Sequence, residues 1–439
     1  MLKARLIYSA CLEVAINDIK ILTDPWLIHG AYYGAWNLDI TGEPLHEISS
    51  DIDFVIVTHI HPDHCCIKTL RVIKDFNPAV KIIIPDWNPR TNYLGIKLRS
   101  EGFDNVLIEN DFRLSDRFAI YQFPLVRNSA SDIDSYHIIV DPFTRNALVN
   151  LNDCFVDDIL ITQLNSFIRQ HKLKVILTAT SYAGAGPYPQ CFFGLEEQQE
   201  LLISEAVRKK KLFLKRYKHA CEKIDSQYFL PFAGKYKLST SLSSLNTYRG
   251  IASPEEACAV HPKSINLCEL SQIFDFDSGQ VESYDHQYVE SRSSPSHQYQ
   301  PNKFVVETLL TDSYLKRLVM LGSYKAHAKS ECPADHFILF YVVDGGLENL
   351  VNLAKIEDPT SFSTFITSIN CNRFSGPGNV DCAPVTENRL FITRSYLYYA
   401  LSGVMHWNNL RTGSLFLQRR IPNAYEKTVD TYINFLSIL

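Results

Sequence analysis

Several classes of protein are excluded by what this chain lacks. No uninterrupted apolar run approaches the ~18 residues a membrane-spanning helix needs, so no membrane partner is expected. Met1 to Tyr8 carries Lys3 and Arg5 but no long apolar core and no cleavage site, the pattern expected of a cytoplasmic protein. Eleven cysteines are an odd number, they are scattered, and Cys65 and Cys66 are neighbours, so no disulfide framework suggests itself. No Cys-x-x-Cys pair exists for a zinc ribbon, and no Cys-x-His pair for a Rieske cluster, so any redox chemistry would draw on an external electron donor. Neither sign of charge dominates: a formal net charge of −5 gives no basic field for nucleic acid or an acidic membrane. There are no internal repeats. What remains is an ordinary globular composition, 46% apolar and 21% charged, with room in 439 residues for one large domain and a smaller one.

One stretch stands out. Thr58-His59-Ile60-His61-Pro62-Asp63-His64 packs three histidines and a carboxylate behind the apolar run Phe54-Val55-Ile56-Val57, which is β-branched and of strand length. Side chains alternate along a strand, so His59 and His61 point the same way and can hold one ion together. Pro62 turns the chain, and Cys65 to Phe76 reads as a helix whose first turn carries Asp63 and His64, aimed at a second ion nearby. A lone histidine is more often a satisfied core or surface imidazole. Four ligand-type groups at a strand end point instead to a metal site, since imidazole and carboxylate are the usual ligands of zinc, iron and manganese.

Around this cluster, Lys3 to Leu22 reads as a β-hairpin turning at Asn17-Asp18. The segment Asp24 to Trp36 is rich in glycine and aromatics. It is either an aromatic-packed Ω-loop or a pocket wall in which Asp24 orients a ligand histidine and His29 and the tyrosines line the site. Short strands and helices then alternate to Ala179, as a layered α/β fold requires. Asp153 closes the apolar strand that begins at Ala147. Glu196 to Ile224 is a long amphipathic stretch whose lysines form either a solvated face or a basic substrate-binding edge. Composition shifts at about Ala252, with few aliphatics from Asp275 to Gln300. The domains are therefore read as a metal-binding catalytic domain at 1–250, a linker or surface excursion at 251–302, and a C-terminal α/β segment at 303–439 that packs on the catalytic domain.

His-x-His-x-Asp-His after a hydrophobic strand resembles the signature of the metallo-β-lactamase superfamily. The resemblance implies an α/β fold, the αββα sandwich, with one or two metals at its loop edge. It also implies that Asp153 bridges two metals, the alternative being a plain turn or N-cap aspartate. Further stretches narrow the resemblance to the CMP-N-acetylneuraminate hydroxylase branch: Leu22-Thr23-Asp24-Pro25-Trp26-Leu27 with Gly34 and Trp36, Asp134-Ser135, Asn152-Asp153-Cys154, Tyr182 to Gly186 with Tyr188-Pro189, and Pro231-Phe232-Ala233-Gly234. They follow the family's order over roughly residues 5 to 250. His406-Trp407-Asn408-Asn409 is similar to the family's end. What the branch implies is iron-dependent oxygenation. The chain departs from it in having no Rieske motif, no histidine near residue 130, where Asn128 to Asp132 stand, and none between Lys237 and Gly250. The family's nucleotide-sugar substrate is therefore not carried over.

With those histidines absent, the ligand set becomes His59, His61, Asp63, His64 and Asp153, with Asp134 or Asp132 as additions. Two imidazoles and a carboxylate on one face suit non-haem Fe(II), whereas hydrolytic zinc sites have more nitrogen ligands. The expected cofactor is iron, two ions, with zinc or manganese as the alternative. The expected activity is oxidation of a small polar metabolite by O2. Asp63 and His64 would act beside the metal, while His29, Tyr182 and Lys235 position the substrate. A lactone or phosphodiester hydrolase, and a ligand-binding protein with a degenerate metal site, are the rival readings.

Overall fold

Along Leu2–Tyr8, Leu2, Ala4 and Leu6 face one core while Ile7 faces another. The same alternation recurs at Phe118–Pro124, where Phe118 and Ile120 enter the first core and Ala119 and Tyr121 a third. Strands buried on both faces must lie inside a layered stack. The structure, a computed structural model, describes residues 2–40, 45, 48, 52–88, 90–125, 134–192, 198–284, 309–330, 336–353, 356, 358–371 and 386–439. Asp132 and the rest of the region around residue 130 lie outside the described residues, as do His286 and His297.

Two sheets face each other across the first core. One has eight strands, in the order Gln280–Ser283, Gln272–Asp275, Leu2–Tyr8, Cys11–Ile16, Ile19–Thr23, Phe54–Ile56, Lys81–Ile84 and Val106–Ile108. The other has six, in the order Tyr228–Phe232, Lys174–Ser181, Asn146–Asn150, Ser135–Val140, Phe118–Pro124 and Asp111–Leu114. Helices Ile67–Phe76 and Tyr93–Ser100 cover the outer face of the first sheet through Leu70, Ile73, Leu94 and Leu98. Asp158–Gln170 and Gln198–Lys223 cover the second through Leu160, Leu164, Tyr217 and Ala220. This is the αββα sandwich.

Three local differences from the sequence reading stand out. The first sheet begins with two successive hairpins, because Leu2–Tyr8 also pairs antiparallel with Cys11–Ile16. Asp63 and His64 occupy a separate turn, in which the His64 and Cys65 N–H groups donate to His61 O at 3.0 and 2.7 Å, and the helix starts only after its N-cap Cys66. Within 251–284 the chain is no excursion. Gln272–Asp275 pairs with Leu2–Tyr8, and Leu267, Leu270, Phe274 and Phe276 are buried. Its few large apolar residues are placed at buried positions, which composition averaged over the segment conceals. Residues 285–302 lie outside the described residues.

A third sheet, ordered Thr364–Asn370, His336–Val343, Thr386–Thr393 and Phe416–Ile421, follows in the C-terminal segment. Its core is continuous with Trp26, Tyr32, Trp36 and Tyr236 of the N-terminal half. The Gln418 N–H donates to Cys191 O at 2.8 Å, and Gln190 Nε2 donates to Ser414 Oγ at 2.9 Å, so this sheet is joined to the sandwich by polar contacts too.

Candidate metal centre

Parallel strands place their carboxyl ends on one edge, and loops there can converge. Ile19–Thr23, Phe54–Ile56 and Lys81–Ile84 are parallel, and Asp24 and Thr58 to His64 follow the first two directly. In the second sheet Asn146–Asn150 ends just before Asn152 and Asp153. Its antiparallel neighbour Ser135–Val140 begins just after Asp134. The two sheets thus deliver six ligand-type side chains to one edge.

They form two groups. His59 Nε2 lies 2.9 Å from His61 Nδ1 and 3.9 Å from Asp134 Oδ1. His64 Nε2 lies 3.4 Å from both Asp63 Oδ2 and Asp153 Oδ2. The His59 and His64 rings sit 4.1 Å apart, centroid to centroid, so the groups adjoin. The ligand atoms of His59, His61 and Asp134, and those of His59, His64 and Asp153, fall within 4.8 Å of one another, a spread one cation can span.

Thr58 ties the centre together. Its backbone N–H and its Oγ1 donate to the two oxygens of Asp24, each at 2.8 Å, and its carbonyl accepts from Ser135 Oγ at 2.7 Å. Asn152 Nδ2 donates to Thr58 Oγ1. A hydroxyl has a single proton, and Thr58 spends it on Asp24, so Oγ1 can only accept from His59 Nδ1, 3.1 Å away. His59 Nε2 is therefore the nitrogen with a free lone pair, and it faces the other ligands. Asp24 does the same for His64: its Oδ2 is 3.2 Å from His64 Nδ1, leaving Nε2 for Asp63 and Asp153.

Backbone geometry at these junctions is unusual. Asp24 and Asn152 have φ of 40° and 51°, in the left-handed region that Asp and Asn tolerate better than most side chains. Tyr32 and Tyr33, at 50° and 59°, are less natural occupants. That conformation swings the Tyr32 hydroxyl onto Asp63 Oδ1, to which it donates at 2.7 Å. The Tyr32 ring packs on Trp36 at 4.5 Å, and Trp36 stacks on Tyr236 at 3.5 Å, so aromatic rings wall the centre.

Electrostatics follow from burial and neighbours. Burial, with His64 and His61 nearby, drives His59 well below the ordinary imidazole value, and burial also lowers His61. Both are neutral and able to ligate. Burial acts against a charged His64 as well, but the Asp63 and Asp153 carboxylates outweigh it and raise His64 well above its ordinary value. Burial likewise opposes ionised Asp63, and His64 overcomes it to hold that carboxyl low. Among the described residues, His64 is the cationic partner of both Asp63 and Asp153. Neutral imidazoles converging with carboxylates are a donor set suited to a divalent metal.

The other residues singled out from sequence are engaged elsewhere. His29 Nδ1 accepts from the Leu38 N–H at 3.1 Å, and Lys235 pairs with Glu269. The Tyr182 ring lies so close to Gly234 that an added Cβ there would come within 2.5 Å, which is why that turn takes glycine. Residues the sequence reading missed come from the C-terminal helix Trp407–Thr412. Asn408 Nδ2 lies 3.4 Å from His61 Nε2, and the His406 N–H donates to Tyr33 Oη at 3.1 Å. The His406-Trp407-Asn408-Asn409 stretch was visible, but nothing in it announced a contact with the histidine cluster. A cavity of about 630 Å³ opens beside Asn408.

This chain is similar in part to several known proteins. A family described as "Beta-lactamase superfamily domain" matches residues 5–111. The inactive cytidine monophosphate-N-acetylneuraminic acid hydroxylase of Homo sapiens is 24% identical over 241 residues, 52% of this chain and 44% of that protein. The hydroxylase of the same name from Pongo pygmaeus matches equally over 37% of its length. The matched stretch thus spans less than half of these relatives. Among solved structures, the metallo hydrolase Igni18 of Ignicoccus hospitalis is 14% identical with a TM-score of 0.39, covering 65% of this chain and 99% of that one. CmlA, a diiron β-hydroxylase from Streptomyces venezuelae, is 13% identical with a TM-score of 0.40, covering 64% of this chain and 54% of that one.

Proposed function

Because the chain is a member of the metallo-β-lactamase superfamily, we propose that it is a metal-dependent oxygenase which holds two iron ions and oxidises a small polar metabolite. The observation that carries this reading is the make-up of the His59, His61 and Asp134 group. Two neutral imidazoles and one carboxylate are the ligand pattern of non-haem iron sites that use O2, and they leave coordination positions free. His64, Asp63 and Asp153 would hold the second ion. Iron, when bound, supplies the O2 chemistry that no side chain possesses, with electrons from an external donor. The hydroxylase name of the relative from Pongo pygmaeus supports this reading.

The chain's own residues have separate duties. Thr58 and Asp24 fix the ring orientations of His59 and His64, so that each presents Nε2. Tyr32 holds Asp63 by one oxygen and leaves the other toward His64. The Tyr32, Trp36 and Tyr236 rings keep bulk water from this side of the centre, which strengthens every polar contact inside it.

The test is metal content by mass spectrometry on anaerobically purified protein, beside His64→Ala, followed by O2 uptake with a reductant and candidate metabolites. Close to two irons per chain, fewer in the variant, and substrate-dependent O2 uptake are expected. Zinc with turnover of a lactone or phosphodiester in the absence of O2 would establish the hydrolase instead. No stoichiometric metal would leave a binding protein.

A further inference from the structure

The cavity beside Asn408 has an imbalance of charge. Its walls carry Arg208, Lys209, Arg411 and Arg420 against Glu205 and Asp430. Arg208 is taken up by Glu205, with Nη2 2.6 Å from Oε2. Two cations then share Asp430: Arg411 Nη1 is 2.9 Å from its Oδ2, and Arg420 Nη2 is 4.0 Å from the same atom. Lys209 Nζ donates to a neutral acceptor, Gly186 O, at 2.5 Å.

These groups are also buried. Arg411 is 6% exposed, and its Nε and Nη2 have no hydrogen-bond partner among the described residues. The Arg420 guanidinium lies 4.2 Å above the Phe192 ring and 5.3 Å from that of Tyr425, which hold its plane. Desolvation lowers Lys209 to about 8, with Arg249 adding to the effect, and lowers Arg420, with Arg411 adding to it. Buried cations in excess of their counter-charges are costly unless an anion completes the set, and unsatisfied guanidinium N–H groups favour a planar or tetrahedral oxyanion. Asn408 lines this cavity and also lies 3.4 Å from His61 Nε2, so the cavity adjoins the metal centre.

We propose that this cavity receives the oxyanion end, a carboxylate or a phosphate, of the metabolite oxidised at the metal centre, with Arg411 and Arg420 as its binding residues and Lys209 as further counter-charge. This rests on the reading of the metal centre as the reactive site. It narrows the substrate to a small organic anion held at one end, with Asn408 between that end and the ligand histidines.

The experiment is isothermal titration of inorganic phosphate and, separately, acetate into the metal-free protein, at ionic strength held constant with sodium chloride. Saturable binding of at least one is expected, and the preferred anion identifies the headgroup. Arg420→Gln should weaken it at least about tenfold, and Arg113→Gln, a change at an exposed strand position, should leave it unaltered. In parallel, phenylglyoxal labelling of the unmutated protein, read by peptide mass spectrometry, should show Arg411 and Arg420 protected by the same anion. No saturable binding of either anion overturns the proposal, as does equal affinity in Arg420→Gln, or absence of protection should that variant misfold. Because no metal is present, failure here is distinct from failure of the oxygenase reading, which metal content and O2 uptake decide.

Discussion

Asn408 Nδ2 lies 3.4 Å from His61 Nε2, joining residues 347 positions apart. His61 turns its other ring nitrogen to His59 Nε2 at 2.9 Å, so the imidazole is held between the metal group and the C-terminal helix. A contact that orients a ligand ring raises affinity without touching the ion. Asn408→Ala should therefore bind metal about tenfold more weakly, measured by competition with a chromophoric chelator. Unchanged affinity would remove Asn408 from the centre.

Asp24 is fully buried and accepts from Thr58 N and Thr58 Oγ1, with His64 Nδ1 beside it. Asp24→Asn replaces an acceptor by a donor facing donors. Expected are a loss of about 10–100-fold in metal affinity and a stability loss of about 1–3 kcal/mol for the metal-free protein in urea. Loss of stability with intact affinity would make Asp24 purely structural.

Tyr32→Phe keeps the ring that packs on Trp36 and deletes only the hydroxyl that donates to Asp63. The cost in urea should be about 1 kcal/mol, and retention of the second metal on dialysis should fall while the first stays. Equal loss of both ions would contradict the division into two groups.

His137 is fully buried with neither ring nitrogen hydrogen-bonded among the described residues, and burial pushes it down to about 4. Its unfolded value is ~6.5, so the unfolded chain binds the proton first. The native state is favoured in full above pH ~6.5 and loses up to about 3 kcal/mol from this group as pH falls toward 4. Urea midpoints from pH 7.5 down to 4.5 should fall more steeply for the unmutated protein than for His137→Gln. Parallel slopes would show that His137 finds a proton-accepting partner.

The raised His64 value has a consequence for metal loading. At neutral pH the metal-free protein holds this imidazole protonated between Asp63 and Asp153, and a metal can take Nε2 only after the proton leaves. Metal binding should release about one proton, seen as buffer-dependent titration heat. His64→Ala should abolish the release. An unchanged release would place the displaced proton elsewhere.

Much of the centre was legible because it is local. Thr58 to His64 is one contiguous motif, and a strand end followed by a proline turn aims its side chains almost independently of the rest of the chain. Asp153, which closes an apolar strand, was paired with it through the family resemblance, and Asp24 through its place at the start of the aromatic loop. The distance from Asp134 to His59 was not legible. Asp134 stands immediately before Ser135–Val140, so the pairing of that strand carries it to His59, and pairing is a property of the sheet. The roles given to His29, Tyr182 and Lys235 came from their neighbourhood in the chain, whereas their partners are Leu38, the Gly234 turn and Glu269.

The sequence by itself determined the alternating strands and helices of a layered α/β fold and the ligand-type motif, because alternating burial and a seven-residue cluster are short-range patterns written in neighbouring residues, while the αββα order came from the resemblance. Only the tertiary structure decided what surrounds those ligands. The aromatic wall, the Asn408 contact and the cationic cavity between Lys209, Arg411 and Arg420 join segments about two hundred or more positions apart, and no local periodicity records such a meeting of side chains.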